Sequence, residues 1–336
     1  MVTLARGAGV LAEVVRGGLV ESVHLGHLVV LDPAGTPLLT VGDPDADIYP
    51  RSTLKPVQAV AMLRRGFEPA DDGQLALAAA SHSGEQVHRD GVRAMLAAAG
   101  LGPEALANTP GLPLDPRVAL DWQRAGGGPE SLTQDCSGKH AAMLATCVAA
   151  GWDTASYLDP AHPLQAEIAA TVAKLTRDET RDPRPPHVTV DGCGAPLWST
   201  SLRGLALAYG RLVLAAAGTP ERRVADAMVA RPEMVAGDGR EVTAAMRAVP
   251  GLVCKDGAEA VFAGALPDGV SFAVKVLDGS FRPGPVILAA VLRAAGALDV
   301  AGADAHALTT LGTVPVLGHG RPVGEVRVPL RQDLEA

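Results

Sequence analysis

Apolar residues near the start of the chain form two short runs with a turn between them. The first run covers residues 28–31, the second covers residues 38–41, and the turn sequence Asp-Pro-Ala-Gly follows the first. Apolar runs that flank such a turn predict a β-hairpin. The same arrangement recurs at residues 258–266 and 270–277, around a Pro-Asp-Gly turn, and predicts a second hairpin.

Between the two hairpins the apolar positions follow helical spacing. Residues three and four positions apart are apolar in five segments: 59–65, 87–99, 139–150, 165–175 and 202–217. Gly100, Gly151 and Gly218 lie where three of these helices are expected to end, because glycine readily adopts the left-handed conformation found there. A further helix is predicted at residues 285–297, and a last strand at residues 324–328.

The order of these elements predicts the fold class. Strands at both ends of the chain enclose a mostly helical region at about residues 52–230. Terminal strands that pair with each other give an α+β fold, in which helices pack on a mainly antiparallel sheet. No segment has the composition of an interdomain linker, so we expect residues 1–336 to form a single catalytic unit.

Composition and charge narrow the class of protein. Hydrophobic residues make up 48% of the chain and charged residues 20%, which indicates a globular protein and not a disordered one. The net charge of −8 argues against nucleic-acid binding, which needs a basic surface to neutralise phosphates. The sequence also lacks a run of about 18 apolar residues, so we expect no membrane span.

The first residues and the cysteines bear on the cellular compartment. Residues 1–12 lack the uninterrupted apolar segment and the small-residue cleavage site of a signal peptide. We therefore expect a cytoplasmic protein. In that compartment the four cysteines, none of them in a Cys-x-x-Cys pair, would remain thiols and not form disulfides.

A serine and a lysine three residues apart, Ser52 and Lys55, are the first candidates for catalysis. On one helical turn this spacing places both side chains on the same face. A neutral lysine can accept the serine proton, provided that burial or a second cation lowers the pKa of the amine. The alternative is an ordinary helix start, with Ser52 as the N-cap and Pro56 in the first turn.

Two further segments place hydroxyl and amine groups beside apolar runs. Ser81, His82 and Ser83 end one apolar stretch, as either a helix-capping turn or the lining of a cleft. Lys275 interrupts an apolar strand. It is either a charge that protects an exposed sheet edge or a second lysine that lowers the pKa of Lys55.

Two segments with isolated thiols could hold a metal ion. Cys136, Lys139 and His140 precede a helix of small residues, and Cys193 lies in a glycine-rich turn. Two thiols with a carboxylate or His140 could bind zinc. Buried cysteine as a small apolar residue is the alternative, because the spacing of these thiols is not that of a known zinc motif.

Taken in order, these segments resemble the motifs of the Rhizobium-type L-asparaginases, also called class 3 or the asparaginase II family. The resemblance runs from the first strands to beyond residue 280. Six motifs carry it: Arg51-Ser52-x-x-Lys55-Pro-x-Gln58, Ala80-Ser81-His82-Ser83-x-Glu85, Cys136-Ser-Gly-Lys139-His140, Asp191-Gly-Cys193, Pro232-Glu-Met-Val-Ala-Gly237-x-Gly-Arg240 and Val274-Lys275-x-x-Asp278-Gly279.

The resemblance implies an activity and a set of catalytic residues. The activity is hydrolysis of L-asparagine to L-aspartate and ammonia, on a fold similar to serine β-lactamases and glutaminases and in a homodimer. The implied catalytic residues are two Ser–Lys pairs, Ser52 with Lys55 and Ser81 with Lys275. Two neighbouring ammonium groups lower one another's pKa, so one of the lysines can be neutral at working pH.

The resemblance also implies a zinc site and substrate contacts. Zinc would be held by two cysteines and an unusual lysine, here Cys136, Cys193 and Lys139, with His140 beside them. A lysine ligand must be a neutral amine, since an ammonium group has no lone pair. The residues expected to contact the substrate are Arg51, His82, Asp191 and Gly192.

Several alternatives remain open from the sequence. Ser52 is the favoured nucleophile because Lys55 follows it at helical spacing, but Ser81 fits almost as well. A glutaminase or a β-lactamase relative would use the same serine and lysine, although the strand around Lys275 does not read Lys-Thr-Gly as β-lactamases do. A module that binds an amino acid or a metal without catalysis is the third possibility.

Overall fold

The structure, a computed structural model, describes residues 4–179 and 185–329. Within these residues the strands are β1 (Gly9–Arg16), β2 (Leu19–Leu31), β3 (Pro37–Val41), β4 (Asp47–Ile48), β5 (Val188–Val190), β6 (Pro196–Trp198), β7 (Thr200–Ser201), β8 (Val253–Gly257), β9 (Val261–Ala265), β10 (Ser271–Val276), β11 (Val314–Gly318) and β12 (Arg321–Arg327).

The α-helices of the described residues are α1 (Lys55–Arg64), α2 (Asp72–Ala78), α3 (Gln86–Ala98), α4 (Pro116–Arg124), α5 (Ser137–Ala150), α6 (Pro163–Leu175), α7 (Leu202–Leu214), α8 (Pro220–Ala230), α9 (Pro232–Val235), α10 (Glu241–Ala248), α11 (Gly284–Ala294) and α12 (Ala305–Leu311). Short 3₁₀ helices cover Arg51–Leu54, Pro103–Ala105 and Ala297–Asp299.

One antiparallel sheet joins the two ends of the chain. Seven of its eight strands run in the order β11-β12-β1-β2-β10-β9-β8, and β3 also pairs with β2. β1 lies next to β12, with Glu13 opposite Arg327. Every pairing within this sheet is antiparallel. The predicted α+β fold, in which terminal strands form a mainly antiparallel sheet, is therefore confirmed.

Both predicted hairpins are present, with corrections at their edges. β2 and β3 are joined by a turn that the Asp32 carboxylate closes by accepting hydrogen bonds from the amides of Ala34 and Thr36. β9 and β10 form the second hairpin, but residues 258–260, predicted as strand, are a turn. β10 lies between β2 and β9, so Lys275 is not on a sheet edge.

The predicted helices are present with shifted ends. α1 begins four residues before the predicted start, since Lys55 adopts helical angles and Pro56 fits the first turn, where no amide donor is needed. Gly151 ends α5 in the left-handed conformation, as predicted. α7 ends at Leu214, so Gly218 lies beyond its C-terminus. The sequence patterns missed helices α2, α4, α8, α9, α10 and α12 and strands β6, β7, β8 and β11.

Helices cover the strands that carry the candidate site. Every residue of β8, β9 and β10 is buried, so both faces of this half of the sheet are covered. α7 packs on β2, β9 and β10. Among the helices of residues 4–179 and 185–329, none combines the length and the apolar character needed to cross a membrane.

Candidate active site

A strained turn presents Ser52. Arg51, the first residue of the 3₁₀ helix Arg51–Leu54, has a φ of 54°, in the left-handed region that residues with a Cβ seldom adopt. Such strain is kept only where the surroundings hold it, and it is frequent at active sites. The Arg51 side chain supplies one restraint, because its Nε donates to the Asp191 carboxylate at 2.7 Å.

The end of β8 packs directly against this turn. A Cβ on Gly257, the last residue of β8, would lie 2.9 Å from the Pro50 carbonyl oxygen and 3.1 Å from the Ser52 amide nitrogen. Only glycine allows so close an approach of the two backbones. From the other side, the Tyr209 hydroxyl donates to the Thr53 carbonyl at 2.8 Å. The backbone before and after Ser52 is therefore held in place, and with it the position of the Ser52 hydroxyl.

Lys55 contacts Ser81 and not Ser52. Its Nζ donates to the Ser81 hydroxyl at 2.9 Å and to the Ala80 carbonyl at 2.6 Å. The lysine is 2% exposed and begins α1 directly after the Ser52 turn, so its side chain crosses to the loop that follows α2. In this structure the hydrogen bond of Lys55 therefore goes to Ser81, the second of the two predicted serines.

Acidic neighbours keep Lys55 charged. Burial alone would lower the pKa of its amine, but the interactions with Cys136 and with the Asp135 carboxylate outweigh that effect and raise the pKa. The Asp135 carboxylate lies 3.6 Å from Lys55 Nζ. Lys55 is therefore an ammonium group at neutral pH, and its hydrogen bond favours the ionised form of the Ser81 hydroxyl.

His82 supports the Ser81 loop from inside the protein. Its Nδ1 accepts a hydrogen bond from the Gly84 amide, which leaves Nε2 to donate to the Ser137 hydroxyl at 2.9 Å. Burial and neighbouring cations lower the pKa of this histidine well below its usual value, so the ring is neutral. The expected contact of His82 with substrate is not supported, because the ring is fully buried and both nitrogens are already bonded.

Cys136, Lys139 and Cys193 come together, as the resemblance implied. Lys139 Nζ lies 3.2 Å from Cys193 Sγ, and all three side chains are buried. A hydrogen bond from Cys136, followed by the charge of Lys139, lowers the pKa of Cys193, so that this thiol is ionised. The pKa of Cys136 is raised, first by its hydrogen bond to Cys193 and then by burial. Lys139, whose pKa is raised despite its burial, pairs with the thiolate as an ammonium group.

The donor atoms of this cluster suit zinc only if lysine is counted as a ligand. In the described part of the chain, no group of three or more His, Cys, Asp or Glu side chains is placed to hold a metal ion. Two thiols and an amine, however, supply three of the four ligands of a tetrahedral zinc site. His140 lies beside them, with Nδ1 bonded to the Tyr157 hydroxyl at 2.8 Å and Nε2 buried without a hydrogen-bond partner among the described residues.

Asp191 links the cysteine cluster to the Ser52 turn. Its carboxylate oxygen accepts hydrogen bonds from Arg51 Nε and from the Gly192 amide at 2.8 Å. Cys193 follows two residues later in the same turn. Arg51, Asp191 and Gly192 thus lie together beside the Ser52 turn, where Arg51 and Asp191 bind each other.

Lys275 does not reach Ser81. Its Nζ, on β10, donates to the Glu259 carbonyl in the turn between β8 and β9. Burial lowers the pKa of the Lys275 amine, and Arg51 is the main cation that adds to this effect. In this structure Lys275 is thus bonded to the neighbouring turn, and no hydrogen bond joins it to Ser81.

The structure adds a residue that sequence analysis missed. Lys255, on β8, is 0% exposed and its Nζ donates to the carbonyl and the carboxylate of Asp256, both at 2.7 Å. Burial is the main cause that lowers the pKa of its amine. The positive charge of Lys55 and, more weakly, that of Arg240 lower it further. A signal existed, since Lys255 interrupts an apolar run and is followed by Asp256 and Gly257. The chain has five lysines, of which Lys174 alone is exposed.

Comparison with known proteins gives a family match over nearly the whole chain. A sequence model of the L-asparaginase II family matches residues 12–328. No curated protein matches the chain. Among solved structures, a β-lactamase from Mycobacterium bovis aligns with 80% of this chain and 94% of its own, at 14% identity and a TM-score of 0.33. Similarity at that TM-score is too low to support a conclusion about activity.

Proposed function

The chain belongs to the L-asparaginase II family and is an amidohydrolase, and from this premise we propose how its residues hydrolyse L-asparagine. Lys55 is the observation that carries the proposal. It begins α1 directly after the Ser52 turn and its amine holds the Ser81 hydroxyl at 2.9 Å, so it ties Ser81 to the helix that follows Ser52. We assign Ser52 as the nucleophile and Ser81 with Lys55 as a proton relay.

The assignment of Ser52 rests on its turn and on its hydroxyl. A strained turn that exposes a nucleophile is a recurrent device in hydrolases. Among the described residues, the Ser52 hydroxyl makes no hydrogen bond, whereas the Ser81 hydroxyl is already bonded to Lys55. Ser52 is therefore free to attack the side-chain carbonyl of asparagine and form an aspartyl ester.

Lys255 is our candidate for the general base. A base must be neutral at working pH, and the pKa of Lys255 is lowered while that of Lys55 is raised. In the proposed reaction the Ser52 proton passes to the neutral Lys255 amine and, through the Lys55–Ser81 relay, to the leaving nitrogen, which departs as ammonia. Water hydrolyses the ester in a second step and releases L-aspartate.

The α-carboxylate and α-ammonium groups of asparagine need opposite charges. Arg51 and Asp191 supply one cation and one anion beside the Ser52 turn, and we assign them to substrate binding. Gly192 leaves space next to the Arg51 guanidinium, because a Cβ there would lie 3.8 Å from its nearest nitrogen. The α-carboxylate of the substrate would bind Arg51 and its α-ammonium group would bind Asp191, either beside the Arg51–Asp191 ion pair or in its place.

Zinc is proposed as a resident ion held by Cys136, Cys193 and Lys139. When bound, zinc would supply a positive charge that orients the substrate and keeps the two thiols and the amine in place. Asp191, two residues from Cys193, holds Arg51 and so connects this site to the Ser52 turn. A homodimer, which the family resemblance implies, and the cytoplasmic location expected from the first residues are likewise part of the proposal.

Ammonia release from L-asparagine tests the activity and the choice of nucleophile together. We expect Ser52→Ala to abolish turnover, and Ser81→Ala to lower kcat by about 10²- to 10⁴-fold, as loss of proton transfer does. Intact-mass spectrometry after rapid acid quench should find an aspartyl adduct in Ser81→Ala and none in Ser52→Ala. An adduct on Ser52→Ala would reverse the assignment.

Two further substrates separate this function from the alternatives. L-glutamine tests for a glutaminase, and a chromogenic β-lactam tests for a β-lactamase relative. We expect the kcat/KM for L-asparagine to exceed both. A wild-type protein that releases no ammonia from L-asparagine would exclude the proposed activity and favour a module that only binds an amino acid or a metal.

A further inference from the structure

Backbone strain is concentrated in two turns that face each other. Within the described ranges four residues other than glycine have a positive φ, and three of them are Arg51 (54°), Glu259 (61°) and Ala260 (51°). A left-handed residue with a Cβ costs on the order of 1–3 kcal/mol. Glu259 and Ala260 are consecutive, so the turn between β8 and β9 needs strong restraints.

β10 supplies those restraints. The Val276 amide donates to the Ala260 carbonyl at 3.1 Å, and Lys275 Nζ donates to the Glu259 carbonyl. The Glu259 carboxylate in turn packs on Gly279, where a side chain would clash with it. The strained turn is therefore held through its two carbonyls by two successive residues of one strand.

The shape of this turn decides where β8 ends. Gly257 lies two residues before Glu259, and its backbone contacts the main chain of Pro50 and Ser52. If the turn relaxed, the end of β8 would move away from the Ser52 amide nitrogen. Displacement by about 1 Å of a group that positions reacting atoms is enough to lower a rate on the order of 10²-fold.

We propose that Lys275 is a positioning residue, which fixes the strained Glu259–Ala260 turn and through it the contact of Gly257 with the Ser52 backbone. The proposal rests on the proposed function, in which Ser52 is the nucleophile. It differs from the role implied by the family resemblance, since Lys275 then exchanges no proton with Ser81. Its amine is bonded to a backbone carbonyl, and its effect on catalysis passes through the turn.

Lys275→Arg distinguishes positioning from proton transfer. A guanidinium can still donate to the Glu259 carbonyl, but it stays protonated and cannot accept a proton at working pH. We expect Lys275→Arg to keep kcat within a few-fold of wild type, and Lys275→Met to lower kcat on the order of 10²-fold with little change in KM. The pH profile of Lys275→Met should keep the wild-type shape. Lys174→Met, the same substitution at the exposed lysine, is the matched control.

Glycine at the strained positions provides a second test. Glycine adopts a positive φ without strain, so the turn should keep its shape without the lysine. We expect Glu259→Gly combined with Ala260→Gly to restore part of the activity lost in Lys275→Met. A triple variant no more active than Lys275→Met, or a Lys275→Met profile that has lost an ionisation, would overturn the proposal.

Hydrogen–deuterium exchange tests the turn without any activity. In Lys275→Met, peptides that cover residues 254–262 and the Val276 amide should exchange faster than in wild type, and Lys174→Met should not change them. Unchanged exchange, or loss of activity in Lys275→Arg with wild-type exchange, would overturn the positioning role. A wild type inactive on asparagine would refute the proposed function, and exchange would still report on the turn.

Discussion

Four buried lysines fall into two groups that differ in charge. Lys55 and Lys139, at the starts of helices, have a raised pKa, whereas Lys255 and Lys275, on strands, have a lowered one. All four are at most 8% exposed, so burial is common to both groups and opposes the ammonium form in each. The difference must therefore come from the neighbours.

Both groups have anionic neighbours, but on the sheet side burial and nearby cations outweigh them. Asp135 acts on Lys55 and the Cys193 thiolate on Lys139, and both raise the pKa. Asp256 and Glu259 also raise the pKa of the strand lysines, but Lys55 and Arg240 oppose this at Lys255, and Arg51 opposes it at Lys275. Opposite charges nearby can outweigh desolvation, and like charges add to it. One side of the site thus holds fixed ammonium groups, and the other offers amines that can be neutral.

Replacing one lysine of each group should separate their roles most strongly. We expect Lys55→Met and Lys255→Met each to lower kcat by about 10²- to 10⁴-fold. Only Lys255→Met should also remove the rise of activity with pH, because that rise reports deprotonation of the base. Ammonia release measured from pH 5 to pH 10 checks both, with Lys174→Met as control. Wild-type activity in Lys255→Met would remove the functional difference between the groups.

Arg240→Met should destabilise the sheet side by about 3 kcal/mol, since it leaves the buried Asp256 carboxylate with one cation fewer. The Lys255 and Arg240 charges lower the pKa of Asp256 despite its burial. Stability from this carboxylate is therefore present above the unfolded pKa of about 3.9 and is lost as pH falls through the folded pKa. Urea unfolding at pH 7 and pH 3 should show a smaller difference from wild type at the lower pH.

Arg240→Met should also change the pKa of Lys255. Removal of a neighbouring cation raises the pKa of this amine, so the rise of activity with pH should shift to higher pH. Glu241→Gln, at the next residue of the chain, is a control that leaves the Asp256 contacts in place. An unchanged pH profile in a folded Arg240→Met variant would argue against Lys255 as the base.

Zinc binding should convert Lys139 from an ammonium group to a neutral amine and so remove its difference in charge from the strand lysines. A metal ligand must be a neutral amine, so binding has to release the proton that Cys193 helps to keep on Lys139. One released proton makes the affinity rise about tenfold per pH unit, and a second from Cys136 would double that slope on a logarithmic scale. Zinc titrations by calorimetry at several pH values check this, with Lys139→Met and Cys193→Ser as variants. Affinity independent of pH would count against lysine ligation.

Sequence patterns were sufficient for what depends on neighbours along the chain. The turn at Asp32, the periodicity of α3 and the glycine that ends α5 are local features, and all were predicted. The contact of Lys55 with Ser81 joins the start of α1 to the loop after α2, so it depends on how these two helices pack. Sequence spacing predicted Ser52 as the partner of Lys55, because spacing does not show which group the end of a long side chain contacts.

The order of the strands in the sheet is a second feature of the site that the sequence does not show. Lys255 and Lys275 both interrupt apolar runs, and the family resemblance implied a catalytic role for Lys275. Sheet order separates them, since β8 ends against the Ser52 turn while β10 is two strands away. His82 was assigned to the substrate for a similar reason, because a motif does not show which of its side chains point into the core.

The pairing of β1 with β12 has a consequence for how the chain is made. These strands are neighbours in the sheet although nearly the whole sequence separates them. β2 likewise pairs with β10, which is synthesised much later. The sheet therefore cannot form until the ribosome has synthesised the C-terminal strands. The nascent helical region therefore emerges without the strands that bury it, and we expect slow folding with a need for chaperones during synthesis.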